Sequence, residues 1–153
     1  MSALPDTQTS AARAFLHQRL LDATPTRVFA AFADPALLAR WWGPAGFRSS
    51  FQTFEFRPGG AWRFVMHGPD GQDHPNESRF HILQPAERIV IEHLALVHHF
   101  WLDITLSAQG AQTLLQWRQV FDSAEERDAL ADFVGPANEQ NLDRLAELLR
   151  TQG

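Results

Sequence analysis

Four polar side chains occupy positions where the surrounding pattern calls for apolar ones: Asn76, His93, Gln119 and Asn141. Asn138 lies one helical turn before the last of them. An imidazole held by amides in a mostly apolar setting can do general acid–base work on a bound carbonyl compound. Burial lowers a histidine's proton affinity, and a fixed amide selects its tautomer. His93 is the catalytic candidate in that reading, but no carboxylate falls in the same set to hold its ring. The other readings are that these groups orient a ligand or pair with nearby backbone or water. An unpartnered buried polar group costs about 1–3 kcal/mol, so one of these must hold. His93, His98 and His99 also flank Leu94–Val97, with Glu92 adjacent. Zinc or copper would need three or four convergent ligands. Neighbouring strand residues point to opposite faces, so no metal site is expected. Ser78 has no evident base and no G-x-S-x-G motif surrounds it. His67 and His74 read as surface residues.

The elements that must position these groups are legible from turn and cap chemistry. In Gly59 to Gly71 a glycine pair opens a strand whose alternate residues, Trp62, Phe64 and Met66, are large and apolar. Strict alternation marks a sheet with one buried face, and Pro69-Asp70-Gly71 supplies a turn. Strands are predicted at Phe15–Leu21, Phe47–Phe56, Ala61–Met66, Asn76–Leu83, Arg88–Leu94, Phe100–Ser107 and Thr113–Phe121. Short connectors between the last six imply an antiparallel meander. Thr24-Pro25 and Asp34-Pro35 place a capping side chain before a proline, the start signal of a helix. They predict short helices at Pro25–Phe32 and Pro35–Trp41. Ser123 with Glu126 forms a capping box for a long final helix. Gly135-Pro136 is expected to kink or restart it.

Period two gives the inward sets. They are Trp62, Phe64 and Met66; Asn76, Ser78, Phe80 and Ile82; Ile89, Ile91 and His93; Phe100, Leu102, Ile104 and Leu106; Thr113, Leu115, Trp117 and Gln119. Arg63, Arg79, His81, Glu92, Asp103, Gln116 and Arg118 fall on the opposite face, which is expected to be solvated. The phenylalanines of 47–56 keep no single phase, so a bulge is expected between Phe51 and Phe54. On the final helix Asn138, Asn141, Leu145 and Leu148 share a stripe that Leu142 and Leu149 broaden, with Leu130 and Phe133 at helical spacing before it.

The 153 residues suit one domain over 12–153, preceded by a flexible tail at 1–11. Cysteine, lysine and tyrosine are all missing, which excludes disulfides and thiol, Schiff-base and phenol chemistry. The net charge is −5 and the thirteen arginines are scattered singly, which argues against nucleic-acid binding. No apolar run is long enough to span a bilayer and Met1 to Ser10 lack a signal-peptide core, so a cytoplasmic protein is expected.

In combination, several motifs resemble the START/Bet v 1-like helix-grip superfamily, also called SRPBCC or polyketide cyclase/dehydrase and lipid transport. They are Ala23-Thr24-Pro25 with Val28-Phe29, Trp41-Trp42-Gly43-Pro44, and Arg57-Pro58-Gly59-Gly60-Ala61-Trp62. Met66 to Gly71, Pro85 to Ile89 and Asn138-Glu139-Gln140-Asn141-Leu142 complete the set. Within the superfamily the chain is similar to the family named for the activator of the ninety-kilodalton heat-shock protein ATPase, over about Phe15 to Leu149. The resemblance implies an α+β fold, a seven-stranded antiparallel sheet wrapped round a long C-terminal helix and enclosing a hydrophobic cavity. It carries no catalytic motif. Nor does it imply co-chaperone activity, because the eukaryotic activator uses a separate N-terminal domain for which this length leaves no room.

The expected function is binding of a small hydrophobic or amphipathic molecule, without cofactor or metal. The candidate ligand-binding residues are Trp62, Phe64, Met66, Asn76, Phe80, His93, Trp117, Gln119, Phe133, Asn141 and Leu145. An unfilled void of roughly 300 Å3 would cost around 7 kcal/mol, comparable with a domain's net stability, so a cavity there should hold water or ligand. The competing readings are a solidly filled core, a cofactor-independent cyclase or dehydratase using His93, and a protein-interaction module using the outer sheet face. Trp41 and Trp42 either anchor their helix or guard the cavity. Trp101, out of phase with the inward set, either covers the outer face or joins a homodimer interface.

Overall fold

The structure is a computed structural model that describes residues 3–95 and 98–152. The predicted loop at Leu94–Val97 therefore lies partly outside the described residues, at Leu96 and Val97. Helices α1 (Pro25–Ala33) and α2 (Pro35–Trp41) start where the caps require: Thr24 accepts from the Arg27 N–H and Asp34 from the Ala36 N–H. Strand β1 (Ala14–Leu21) precedes them. Six strands follow: β2 (Arg48–Phe54), β3 (Ala61–His67), β4 (Asp73–Gln84), β5 (Arg88–His93), β6 (Phe100–Gln109) and β7 (Gln112–Phe121). They pair antiparallel throughout, in the order β1-β7-β6-β5-β4-β3-β2. The helix α3 (Ala124–Gln152) packs against β1, β7, α1 and α2. It runs on through Pro136 as one helix and does not restart there. Only half of the predicted capping box forms. Ser123 accepts from the Glu126 N–H, whereas the Glu126 carboxylate goes to His98.

Two bulges decide which side chains face α3. The one in β2 lies between Phe51 and Thr53, and it returns Phe54 to the inner face beside Phe51. The other, in β4 between Phe80 and Ile82, is not legible in the alternation. It moves Ile82 out of the predicted inward set, so that Ile82 packs with Val90, Trp101 and Val120 on the outer face.

That outer face also departs from the solvated surface expected of it. Glu92 is 4% and Asp103 8% exposed. Asp103 accepts two hydrogen bonds from Arg88 at 3.0 Å and a third from Arg118 at 3.3 Å. Glu92 lies between His81 at 2.8 Å and His99 at 2.7 Å. The segment expected as a loose tail meets this face: Leu4 packs on the Trp101 cluster, and Arg118 donates to Pro5 O and Ser10 Oγ. Trp101 is thus buried under the chain's own N-terminal residues, which removes it as an exposed dimer patch.

Between sheet and α3 the interior has two unlike ends. Over β2, β3 and β4 it is a packed aromatic mass of Phe51, Phe54, Phe56, Trp62 and Phe80, closed by Phe29 and Phe32 from α1. Ring centroids there lie 4.3 Å apart for Trp62 and Phe64 and 5.1 Å for Phe56 and Phe80. Gly60 lets the chain turn tightly into β3, since a Cβ there would meet Glu55 O at 1.9 Å. At the other end, under the first half of α3, the interior is hollow.

Candidate functional site

The hollow arises from register. The pairing of β4 with β5 sets Ser78 opposite His93, that of β5 with β6 sets His93 opposite Phe100, and that of β6 with β7 sets Leu102 opposite Gln119. These inward residues form a floor, and Leu130, Phe133, Val134, Ala137, Asn138 and Asn141 of α3 form the roof. The space between them is about 260 Å3. Phe133 lines it while 66% exposed, so Phe133 and the exposed His98 mark the mouth. The side wall is Trp42, Gly43 and Pro44. Arg144 pins this wall to α3, donating to the Trp42, Gly43 and Pro44 carbonyls at 3.0–3.3 Å. Asn141 adds a bond of 2.8 Å to Trp41 O.

Of the eleven candidate residues, Phe64, Met66, Asn76, His93, Trp117, Gln119, Phe133 and Asn141 are brought together around the hollow. Trp62, Phe80 and Leu145 are not. They are fully buried in the solid part of the core, where the β2 bulge and α1 supply enough ring volume to fill the space. The two readings of the tryptophan pair divide between its members. Trp41 anchors its helix, donating from Nε1 to Ala31 O, while Trp42 stacks on Trp117 as cavity wall. Several lining residues fall outside the candidates. Asn138, Val134 and Leu130 follow from extending the helical stripe toward the start of α3, so the sequence does carry a signal for them. Trp42 to Pro44 depend on how a loop folds back, and no local pattern shows that.

None of the described lining residues is Arg, Asp or Glu. The polar groups are arranged instead by two hydrogen-bond chains. In the first, His93 stacks on Phe100 with centroids 4.5 Å apart, its Nδ1 3.0 Å from His98 O and its Nε2 2.8 Å from Asn76 Oδ1. Asn76 in turn donates from Nδ2 to His74 O. Burial pushes the His93 pKa below the ordinary histidine value, against the His98 carbonyl, which raises it. Both ring nitrogens thus face oxygens that can only accept, and a neutral ring carries one N–H, so it donates to one of the two at a time. In the second chain His17 Nδ1 meets Glu139 Oε2 at 2.5 Å. Asn138 Nδ2 lies 3.3 Å from His17 Nε2 and donates to Gln119 Oε1 at 2.8 Å.

One buried donor in this lining is left over. Trp117 is 3% exposed, and its Nε1 has no hydrogen-bond partner among the described residues. Trp62 Nε1 shares that condition, but inside the solid aromatic mass. His98 and His99 turn to different carboxylates, Glu126 and Asp122, and no group of three potential metal ligands forms among the described residues. A second hollow, of about 470 Å3, lies on the outer face between Thr7 and β1, β6 and β7. It is the larger of the two, but its charged groups Asp103 and Arg118 are already paired, so the inner hollow is the better candidate. No described helix is long and apolar enough to cross a membrane.

Residues 22–150 match the family described as activator of Hsp90 ATPase homolog 1-like protein. No curated protein matches the sequence significantly. Among solved structures, one from Nitrosomonas europaea superposes with a TM-score of 0.85 at 20% identity, over 93% of this chain and 97% of the other. A protein from Rhodobacter sphaeroides gives 0.82 at 26% identity, over 93% and 95% of the two chains. A third, from Chromobacterium violaceum, gives 0.77 at 28% identity, over 90% and 96%.

Proposed function

The chain belongs to the activator of Hsp90 ATPase homolog 1-like family and has the helix-grip fold, and on that footing we propose that it binds a small hydrophobic or amphipathic molecule between sheet and C-terminal helix. The observation that carries the reading is the hollow itself, about 260 Å3 of mostly apolar wall open at Phe133 and His98. Kept dry and empty, such a volume would cost about 6 kcal/mol, on the scale set by engineered cavities. The mouth lets water or a ligand occupy it instead, and an apolar molecule releases that water. Aromatic and long aliphatic side chains of β3, β5, β6, β7 and α3 supply contact area at little cost in side-chain freedom.

His93 does not favour the enzyme reading, because both of its ring nitrogens are turned to protein oxygens, His98 O and Asn76 Oδ1. It ties the β4–β5 pair to the chain that leads into β6 and so holds the floor in shape. Nor does the burial of Trp101 favour the outer face as an interaction surface.

The test is a cavity-filling substitution. Ala137 lines the hollow from α3, and Ala137→Phe should occupy it. The neutral fluorophore N-phenyl-1-naphthylamine is expected to brighten on binding the wild-type chain and to lose at least tenfold in affinity in this variant, with the thermal midpoint held or raised. Equal dye binding by the two proteins would defeat the reading.

A further inference from the structure

We infer that the cavity takes a neutral ligand carrying a hydroxyl, which accepts a hydrogen bond from Gln119 Nε2 and donates one to Asn138 Oδ1. The inference rests on the binding role proposed above and adds the chemical class of the ligand.

It begins with two side-chain amides joined by a single hydrogen bond. Asn138 of α3 donates from Nδ2 to Gln119 Oε1 of β7 at 2.8 Å, a bond that crosses from roof to floor. Two amides joined this way have one donor and one acceptor left over, each one amide carbon from the shared bond. They are Gln119 Nε2 and Asn138 Oδ1, and neither has a hydrogen-bond partner among the described residues. His17 settles which end of Asn138 is which. With the Nδ1 proton of His17 directed at Glu139, its Nε2 presents a lone pair, and Asn138 Nδ2 lies 3.3 Å from it. That contact calls for nitrogen on the His17 side, so Asn138 Oδ1 is turned away from His17.

Both unspent atoms open onto the inner hollow. Gln119 is 6% and Asn138 8% exposed. Both residues line the inner hollow and neither lines the outer one. Water can touch these two atoms, in contrast to the indole nitrogens of Trp62 and Trp117, which are sealed as well as unpartnered. Asn141 repeats the arrangement one turn further along the roof. Its Nδ2 is spent on Trp41 O at 2.8 Å, and its Oδ1 has no described partner.

The balance of these groups selects the ligand. A ketone or ether oxygen can only accept, which serves Gln119 Nε2 but sets a second acceptor against the roof oxygens. A carboxylate has the same fault, and it would shed its hydration where no described lining residue is Arg. An ammonium would serve the oxygens, yet it meets no Asp or Glu in the described lining. A hydroxyl accepts and donates through one oxygen, so it joins the two amides directly or with one water.

Four probes on one diphenylmethane frame test this on the intact protein. They are diphenylmethanol, benzophenone, diphenylacetate and diphenylmethane, each displacing N-phenyl-1-naphthylamine. Diphenylmethanol is expected to bind about fivefold tighter than benzophenone, the scale of one net hydrogen bond, and diphenylacetate more weakly than either. In Asn138→Leu and in Gln119→Met the alcohol-to-hydrocarbon ratio of affinities should fall about fivefold. The wild-type comparison remains decisive even if a variant fails to fold. Equal or tighter binding of the ketone would overturn hydroxyl selection and leave the hydrophobic binding role standing, as would a bound dye that the alcohol cannot displace. An unchanged ratio in both folded variants would overturn the assignment to this amide pair. Tighter binding of diphenylacetate would overturn neutrality of the ligand. If neither the dye nor, by calorimetry, any of the four probes binds, the binding role and this inference both fail.

Discussion

The two ends of the sheet–helix interface are built from the same kinds of residue and end up differently. Each contains a tryptophan on the inner face of a strand with a buried, unpartnered indole N–H: Trp62 on β3 and Trp117 on β7. Around Trp62 the β2 bulge adds Phe51 and Phe54 and the α1 helix adds Phe29 and Phe32, so rings fill the space. Trp117 has one ring stacked on it, Trp42 at 6.0 Å, and shares the wall of the hollow with Gln119, Asn138 and Asn141, which are shorter and spend their hydrogen bonds sideways. Rings can press face or edge against an N–H, a weak compensation. Amides directed elsewhere leave a gap. A difference in neighbours, not in the tryptophans, separates solid core from hollow.

That contrast is most sharply tested by truncation at the solid end. Trp62→Ala should cost about 3–5 kcal/mol, read from urea midpoints at unchanged slope. A loss below about 1 kcal/mol would mean that the aromatic end is as loose as the other. An intermediate effect is expected from acidification, which acts on the hollow end through His93. Its folded pKa lies below the ordinary value near 6.5, chiefly through burial, so between those two values the unfolded chain binds a proton that the native one refuses. Stability should hold above about pH 6.5 and fall as the pH drops through the depressed value. His99 works in the opposite sense. Burial lowers its pKa, but Glu92 and Asp122 outweigh that and raise it, so its contribution favours the native state in acid and fades at higher pH. The comparison is therefore made between wild type and His93→Gln, in which the acid-side decline should flatten. An unchanged profile would remove His93 from the account. Phe133→Ala should do least, within about 0.5 kcal/mol, because the ring is mostly in water. Its effect belongs in dye affinity, and a larger stability loss would mean that the mouth is part of the core.

The sequence is informative in proportion to how local each determinant is. Thr24, Asp34 and Ser123 act within one turn of chain, and the helix starts fall where they stand. The order of β2 to β7 follows from short connectors, while β1 beside β7 joins distant parts of the chain, and the inner row of β5, β6 and β7 follows from alternation. The reading fails where a determinant is non-local. The β4 bulge, which exports Ile82 to the outer face, shows itself only against the β5 register. Glu92 and Asp103 look like surface carboxylates until their strand neighbours and residues 4–10 cover them. Trp62, Phe80 and Leu145 are inward as expected. Whether an inward residue meets a ligand or another ring depends on volume supplied from α1 and β2, far away in sequence. Eight of the eleven candidates reach the hollow because alternation and helical spacing position a face, and three miss it because neither measures free space.

Pro136 lies inside α3 between the residues of the mouth and those of the core. A proline offers no amide hydrogen, so the Asp132 carbonyl one turn earlier loses its usual partner, and Gly135 beside it adds backbone latitude. The ladder is therefore one rung short where the rim ends. Leu142, Leu145 and Leu149 lie in the interior on one side of the missing rung, and on the other Val134 and Leu130 pack on Phe15 of β1 and Phe121 of β7, where Arg127 also donates to Ala14 O. Where the helix's own ladder is interrupted, side-chain packing on the two outermost strands of that end takes over the work of holding the rim in line.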